Sequence, residues 1–432
     1  MLDINFIREN QDKVRQMLVI RHADINLDKI LDLDGRRRVL ILGVDQLRQQ
    51  RNEAAKNRDI EKGKQIKEEL DTKENELKGV ESELNDLLLR VPNIPLDDVP
   101  VGKDDTENKV LRKWGEPKKL DFQPKDHVEL GELLDIIDIE RAGKVVGSRF
   151  AYLKNEAAIL QFALINFAFE TLRDEKILND IAAKVDPTIK VSSFIPVVPP
   201  VMIRPDVYTR MGRLDPTVIE ERYYLPKDDL YLVGSAEHTL GPLHMDETIE
   251  EKSLPIRYVG YSTAFRREAG AYGKDVRGIL RVHQFDKVEM ETFTLPEDSR
   301  KEQDFIVAIQ EHLMQSLGVP YQVIIICTGD MTNPDARQID IESWIPSQDR
   351  YRETHTSDLM TDYQSRRLNT KVKRSDGKTE FVHMNDATAF AIGRTLIAIL
   401  ENFQQKDGSV IIPEALRKYT GFSEIKPKKP LS

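Results

Sequence analysis

Between residues 36 and 90 the apolar positions fall at alternating steps of four and three, the mark of helices that bury one narrow stripe. In the second half the stripe is Ile66, Leu70, Lys73, Leu77, Val80, Leu84 and Leu87, a heptad seam with one polar member. In the first half it is Leu40, Val44, Leu47, Arg51, Ala54 and Arg58, apolar at the base and polar toward the tip. No proline interrupts this stretch, and Gly63 lies between the halves. The pattern predicts two antiparallel helices joined by a tight turn at Gly63, a hairpin of about 40 Å at 1.5 Å per residue. One side of an ordinary helical bundle would share much of the pattern, but a seam that fades toward one end suits a tip standing in water.

Pro92, Pro95 and Pro100 then break the periodicity, and the segment around them reads as a linker. Beyond it the stretch 151–181 is helical in pattern, and prolines hold 194–208 extended. Runs with β-branched or alternating apolar residues predict strands at 255–262, 281–294, 321–327 and 338–345, and helical periodicity returns at 296–317 and 387–404. Neighbouring strands without helices between them predict an α+β fold, an antiparallel β-sheet with flanking helices. The chain therefore divides into an N-terminal domain, 1–105, carrying a coiled-coil hairpin arm at about 36–90, and a larger domain, 106–432.

Composition narrows the class. The 432 residues are 32% charged and 40% hydrophobic with a formal charge of −10, which predicts a soluble globular protein and argues against wholesale nucleic-acid binding, DNA included. No apolar run approaches the ~18 residues of a membrane helix, and the chain opens on polar sequence, so neither secretion nor membrane anchoring is expected. The single cysteine, Cys327, excludes an intramolecular disulfide and a Cys-based zinc site, reads as a buried strand thiol, and fits a cytoplasmic location. Charge is uneven, however: residues 36–67 hold ten Lys/Arg against four Asp/Glu. Such an excess can contact phosphates by counterion release, although on charge alone a solvated helix face is the commoner meaning.

The usual phosphate-binding loops G-x-x-x-x-G-K-[ST] and G-x-G-x-x-G, and the H-E-x-x-H metal motif, are absent. A different device is offered by FRREAGAYGKDVRGILRVHQFDKVEMETF, residues 265–293, where Lys and Arg crowd a Gly-containing loop between two strand-like runs. Strand, basic loop and return strand can hold a triphosphate through bidentate Arg contacts. Phe285 could stack on a base, and Glu268 and Glu289, on the strands flanking the loop, could receive amines or hydroxyls. On chemistry alone an exposed basic hairpin fits equally well.

This string resembles motif 2 of the class II aminoacyl-tRNA synthetases, in the form found in seryl-tRNA synthetases. AIGRTLIAILENFQ (391–404) resembles motif 3 and FIPVVPPVMI (194–203) the proline-bearing motif 1. MLDINFIREN, the basic hairpin, LLLRVPNIP and the segment 127–154 match the same family in order. The resemblance implies a class II synthetase-like antiparallel sheet, dimerisation through motif 1, and an arm that reaches for tRNA. It implies ATP as substrate, with Mg²⁺, L-serine, and a serine-specific tRNA as acceptor, a selenocysteine tRNA being a second acceptor the family allows. It further implies a catalytic set of Arg266, Arg394 and Glu353. Arg266 would hold the α-phosphate and Arg394 the γ-phosphate. Glu268 would face the adenine amine, Phe285 would stack on the ring and Val282 would line it, with Arg267, Thr354 and His355 completing the ATP site. Glu353 and Thr356 would hold Mg²⁺ and phosphate. Serine would be read by Ser235, Ala236, Glu237, Arg266, Glu289, Asp386 and Thr388, Glu237 receiving the ammonium.

The chain departs from the family where Ser-Ser-Cys-Ser-Asn usually follows the glutamate and where motif 3 usually carries an asparagine at the position of Asp386. Asp386 is expected to line the pocket, either as a second ammonium acceptor or, protonated, as an amide mimic. The competing arrangement has Asn385 facing the ligand and Asp386 turned to an arginine. Two other readings stay open at this point: a class II adenylate-forming homologue with another amino acid or acceptor, and a non-catalytic tRNA-binding paralogue.

Overall fold

The computed structural model of the chain describes residues 1–214, 219–268 and 277–428. Two compact units emerge, one formed by Met1–Pro95 with Thr332–Pro334 and the other by Leu96–Met331 with Asp335–Ser432.

The first unit is helical: α1 (Ile4–Glu9), α2 (Gln11–Ile20), α3 (Leu27–Lys56) and α4 (Ile60–Arg90). Cap chemistry sets these boundaries. Asn26 accepts from the Lys29 amide at 3.0 Å and Asp59 from the Lys62 amide at 3.1 Å, each satisfying an orphan donor of the first turn. The turn therefore falls at residues 57–59, with Arg58 at φ 56°, and not at Gly63, which lies inside α4. A glycine costs a helix only about 1 kcal/mol, which the Asp59 cap, worth about as much, offsets. The seam pairs α3 with α4 as the heptads require: Leu40, Val80, Leu84 and Leu88 join Ile7, Val14 and Met17 in a basal cluster, and Val44, Leu47, Ala54, Ile66 and Leu70 form a second one farther out. Lys73 crosses the seam beside Gly43, where a Cβ would lie in ordinary contact, 3.6 Å from the lysine Cδ and Nζ. Arg51, Lys56, Arg58, Lys62, Lys64 and Lys67 are exposed around the outer half.

The second unit is built on an eight-stranded sheet. Its strands are β1 (Lys109–Trp114), β2 (Ile195–Val197), β3 (Ile256–Phe265), β4 (Gln284–Thr294), β5 (Tyr321–Ile325), β6 (Arg337–Ile345), β7 (Arg350–Thr361) and β8 (His383–Ala391). They run in the order β1-β5-β6-β7-β8-β4-β3-β2, with every neighbouring pair antiparallel except β2 beside β3. One face packs the main core against α5 (Asn155–Arg173), α6 (Glu175–Val185), α7 (Ser299–Leu317) and α8 (Ile392–Asn402), joining Val288, Met290, Val323, Ile341 and Phe390 of the strands to Leu164, Phe305, Leu313 and Leu396 of the helices.

Several boundaries differ from the sequence expectation. The stretch 151–181 is two helices, because Asp174 caps the start of α6 by accepting from the Lys176 and Ile177 amides. Extended chain in 194–208 gives way to a short helix at Pro205–Arg210. Residues 387–391 finish β8, so helix α8 starts only at Ile392; a short apolar run cannot declare its period by itself. Glu268 is not on a strand, for β3 ends at Phe265 and Glu268 adopts φ 51°. Cys327 is buried as expected but lies just past the end of β5. The loop 269–276, the middle of the basic string, lies outside the described residues. Among the described residues no helix is long and apolar enough to cross a membrane.

Candidate active site

The sheet face turned away from the helices is polar and largely buried. Strand alternation puts Phe285, Lys287, Glu289 and Glu291 of β4 on it, and cross-strand register sets Glu289 opposite Thr388 and Glu291 opposite Asp386 of β8. Asp358 of β7 pairs with Asp386, extending the face by one strand. Bulges at residues 288–289 of β4 and 359–361 of β7 disturb the ladder here. Two buried glutamines of α7 reach through from below. Gln310 donates to the carbonyls of Thr356 and Thr388 at 2.9 and 2.8 Å, and Gln303 to those of Arg337 and Ser357 at 3.0 and 2.9 Å. The strands carrying the polar residues are thus tied to the rigid layer beneath them.

A short helical turn, Glu237–Leu240, stands over β3 and β4. It can come this close because position 260, opposite Glu289, is glycine: a Cβ there would meet Leu240 Cδ1 at 2.6 Å. Ser235, just before the turn, has its hydroxyl 3.3 Å from Glu289 Oε1, 3.4 Å from Glu237 Oε2 and 3.3 Å from Lys287 Nζ. Thr388 donates to Glu289 Oε1 at 3.1 Å, and Lys287 forms an ion pair with the same oxygen. Glu289 Oε2 is buried and has no partner. Ala236 is fully buried beside this group.

Burial sets the charge states. Burial opposes ionisation of Glu237, but Arg213, with His238 and Lys287, outweighs it and holds the carboxyl well below its usual range. Burial raises Glu289 despite Lys287, and raises Glu291 well above the carboxylate range with Asp386 and Glu237 adding repulsion. Asp386 is likewise raised, by burial and by Glu237, although Arg213 lies 3.0 Å away. His238, buried, is lowered to about 3; its Nδ1 accepts from the Gly234 amide at 3.0 Å, so it stands as a neutral structural ring.

Next to this pocket lies a second group. Arg266 donates from Nε to the Gly234 carbonyl at 3.1 Å and stacks its guanidinium 5.3 Å from the Phe285 ring centroid. Arg394 is ion-paired with Glu353 at 2.8 Å and donates to the Glu353 carbonyl at 3.0 Å. Crowding by protein opposes the charge on Glu353, but Arg394 and Arg266 together hold its carboxyl below the usual value. The Thr356 hydroxyl bonds Asp340, whose carboxyl burial and Glu353 push well above its usual range. Val282 and Phe285, with Phe150, Gln284 and Gly393, line a cavity of about 330 Å³. Among the described residues no cluster of three or more His, Cys, Asp or Glu is arranged to hold a metal.

Other expected site residues are engaged with protein partners. Arg267 sits 4.5 Å over the Tyr223 ring, and the Glu268 carboxylate is 3.6 Å from Arg281 Nη1. Thr354 and His355, expected at the nucleotide, are turned into the core. Thr354 bonds Ser343 at 2.8 Å, and the His355 ring packs 6.0 Å from Phe390, with burial lowering its pKa to about 3. The bulge of β7 between its pairings with Ile341 and Glu342 sets this register. Asp386 does turn to an arginine, yet Asn385 does not take its place, because the Asn385 amide reaches Thr292 at 3.4 Å on the opposite face. The sequence reading passed over Arg213, Lys287, Glu291 and Asp358. Lys287 and Glu291 were accessible by period-two alternation from Glu289, whereas nothing local marks Arg213.

Comparison with known proteins bears on this geometry. Residues 221–403 match the tRNA synthetase class II core domain (G, H, P, S and T), and residues 1–95 match the seryl-tRNA synthetase N-terminal domain. The serine–tRNA ligase of Thermodesulfovibrio yellowstonii is 41% identical over 442 residues, covering 99% of this chain and all of the relative, and that of Thermotoga neapolitana is 42% identical over 441 residues, covering 98% and 100%. The crystal structure of the Pyrococcus horikoshii seryl-tRNA synthetase, complexed with ATP, superposes with a TM-score of 0.88 at 38% identity, covering 99% of this chain and 100% of that one. The chain belongs to the seryl-tRNA synthetase family.

Proposed function

We propose that this ligase binds serine among Ser235, Ala236, Glu237, Glu289 and Thr388 and activates it with ATP held by Arg266, Phe285, Val282, Glu353 and Arg394. The observation that carries the reading is the buried, unpartnered Oε2 of Glu289, flanked by Ser235 and Thr388. A buried acceptor left open within a ring of satisfied groups calls for a donor, and the serine hydroxyl supplies one. Glu237, kept anionic, receives the ammonium. The serine carboxylate oxygen then attacks the α-phosphorus of ATP, and the bond to pyrophosphate breaks. Arg266 meets the charge that develops there, and Arg394 draws the departing phosphates along the line of attack. In the second step a ribose hydroxyl at the 3′ end of tRNA attacks the carbonyl carbon of seryl-adenylate and AMP leaves.

The donor set suits Mg²⁺: the Glu353 carboxylate and Thr356 hydroxyl are hard oxygens beside the phosphate-binding arginines, and Mg²⁺ is commonly held by one or two carboxylates plus substrate phosphates. Bound there, it would neutralise phosphate charge. Residues 1–105 are assigned to tRNA binding, with the basic outer half of α3 and α4 against its backbone, and residues 106–432 to catalysis. The acceptor is the serine tRNA and, by the same contacts, a selenocysteine tRNA. The functional unit is assigned as a homodimer formed through 194–203, where Ile195, Val198 and Met202 are exposed apolar residues. The site of action is assigned to the cytoplasm. Amino-acid-dependent exchange of pyrophosphate into ATP, run over a panel of amino acids, tests the assignment. Exchange with serine and not with alanine or threonine is the expected result, and exchange with another amino acid in preference to serine overturns it.

A further inference from the structure

Arg213 stands where three elements of the fold meet. Its side chain is 10% exposed, and it touches carboxyl groups from three separate elements: Glu237 at 3.0 Å from the turn over the sheet, Asp386 at 3.0 Å from β8, and Asp358 at 3.4 Å from β7. Glu291, directly opposite Asp386, adds a fourth carboxyl whose two oxygens are buried and unpartnered. One guanidinium cannot neutralise so many carboxylates. In a confined, water-poor space the charge settles on the group best placed to share the cation, and the others keep their protons. Glu237 is that group, since Asp358, Asp386 and Glu291 are all pushed up while Glu237 is held down. The geometry agrees: Asp358 and Asp386 both meet one nitrogen, Nη2, whereas Glu237 lies 3.0 Å from a different one, Nε.

We propose that Arg213 is a positioning residue for amino-acid selection, which fixes the Glu237 carboxylate in its charged form beside Ser235 so that it receives a free α-ammonium group; this rests on the reading of Ser235, Glu237, Glu289 and Thr388 as the serine pocket. Arg213 itself touches no substrate. Without it, burial would drive Glu237 to hold a proton, and a neutral acid meets an ammonium far more weakly than an anion does. Asp358 and Asp386, protonated, act as neutral hydrogen-bonding arms that keep the guanidinium aimed.

The test is steady-state pyrophosphate exchange with Arg213→Gln and Arg213→Lys, varying serine and ATP separately. Arg213→Gln is expected to raise the KM for serine at least ~10-fold while kcat stays within about threefold and the KM for ATP within about twofold, a split that general loosening of the fold would not give. Arg213→Lys, which keeps the charge, is expected to recover most of that loss. Should Arg213→Gln fail to fold, the double variant Arg213→Gln/Asp386→Asn removes a carboxyl along with the cation; it should still bind serine poorly, because Glu237 has not regained its counter-ion. A serine KM within about twofold of wild type in whichever variant folds, or loss of ATP binding in step with serine binding, overturns the proposal. Absence of serine-dependent exchange in the wild type overturns the pocket reading, and this proposal with it, so the two failures are told apart by the unmutated enzyme.

Discussion

Removing the Thr388 hydroxyl should weaken the discrimination between serine and alanine more than it weakens the fold. Thr388 and Glu289 are 4% and 1% exposed, and the hydroxyl donates to Glu289 Oε1 at 3.1 Å. That oxygen also lies near Ser235 and is paired with Lys287, so three groups hold the carboxyl with Oε2 turned free. Thr388→Ala removes one of the three. A hydrogen bond to a charged or buried partner is worth about 1.5–3 kcal/mol, and what is lost for the substrate is the share that depends on holding Oε2 in place. The expected change is therefore ~1–3 kcal/mol in the ratio of kcat/KM for serine to that for alanine, or about 5- to 150-fold. Thr388→Ser keeps the hydroxyl and should keep the ratio within about threefold of wild type. The assay is pyrophosphate exchange with each amino acid, run beside thermal unfolding of each variant. A ratio within about threefold of wild type in Thr388→Ala, with the variant folded, would refute the assignment of Glu289 and Thr388 as the hydroxyl-reading pair.

Arg266→Ala should lower serine-dependent pyrophosphate exchange by at least ~100-fold, roughly 3 kcal/mol of transition-state stabilisation, with the fold intact; exchange within about threefold of wild type would remove it from the phosphate site. Replacing residues 43–76 by a short Gly-Ser turn keeps Leu40, Leu77, Val80 and Leu84 of the basal cluster, so serine activation should survive while tRNA charging falls. Normal charging by that variant would make the basic outer half a solvated surface. Glu291→Gln should be more stable than wild type at pH 8, with the gap closing toward pH 5. Its folded pKa is raised by burial first, so above the unfolded value the wild type must keep a proton that the unfolded chain has released, at up to ~1.4 kcal/mol per pH unit; a stability difference independent of pH would show that Glu291 is ionised in the folded protein.

The arm was the most legible part of the molecule, because a heptad seam repeats one physical requirement many times over. Ile66, Leu70, Val80 and Leu84 are buried where the period places them. Its turn lies not at the glycine but at Asn57, whose backbone N–H closes α3, and Asp59, whose side chain caps α4. The central strands β7 and β8 were hidden for a different reason. A strand that buries an apolar face and exposes a polar one alternates visibly, but RETHTSDLMT and HMNDATA carry small polar residues on both faces, because one face is the site and the other feeds carbonyls to Gln303 and Gln310. Arg266, Glu289 and Arg394 could be named from resemblance to motifs 2 and 3, and Glu353 from the family's segment between them. Arg213 could not, since its meaning lies in partners 24, 145 and 173 residues away along the chain.

In the proposed function the same sheet face serves two ligands of opposite demand, and the cations are placed accordingly. A nucleotide triphosphate needs positive charge, and Arg266 and Arg394 stand at that end, with Glu353 tempering Arg394. An amino acid presents an ammonium and a hydroxyl, and at the other end the carboxyls outnumber Arg213 and Lys287. Were all of them ionised, mutual repulsion would swell the pocket. Were all protonated, the ammonium would find no counter-charge. Burial pushes Asp358, Asp386 and Glu291 up while Arg213 holds Glu237 down, so Glu237 keeps its negative charge beside Ser235 and Glu289 is paired with Lys287. Replacing an amide by Asp386 in motif 3 is then a small change in practice: a protonated carboxyl held to Arg213 has the size of an amide and offers both a donor and an acceptor, one donor fewer than the amide.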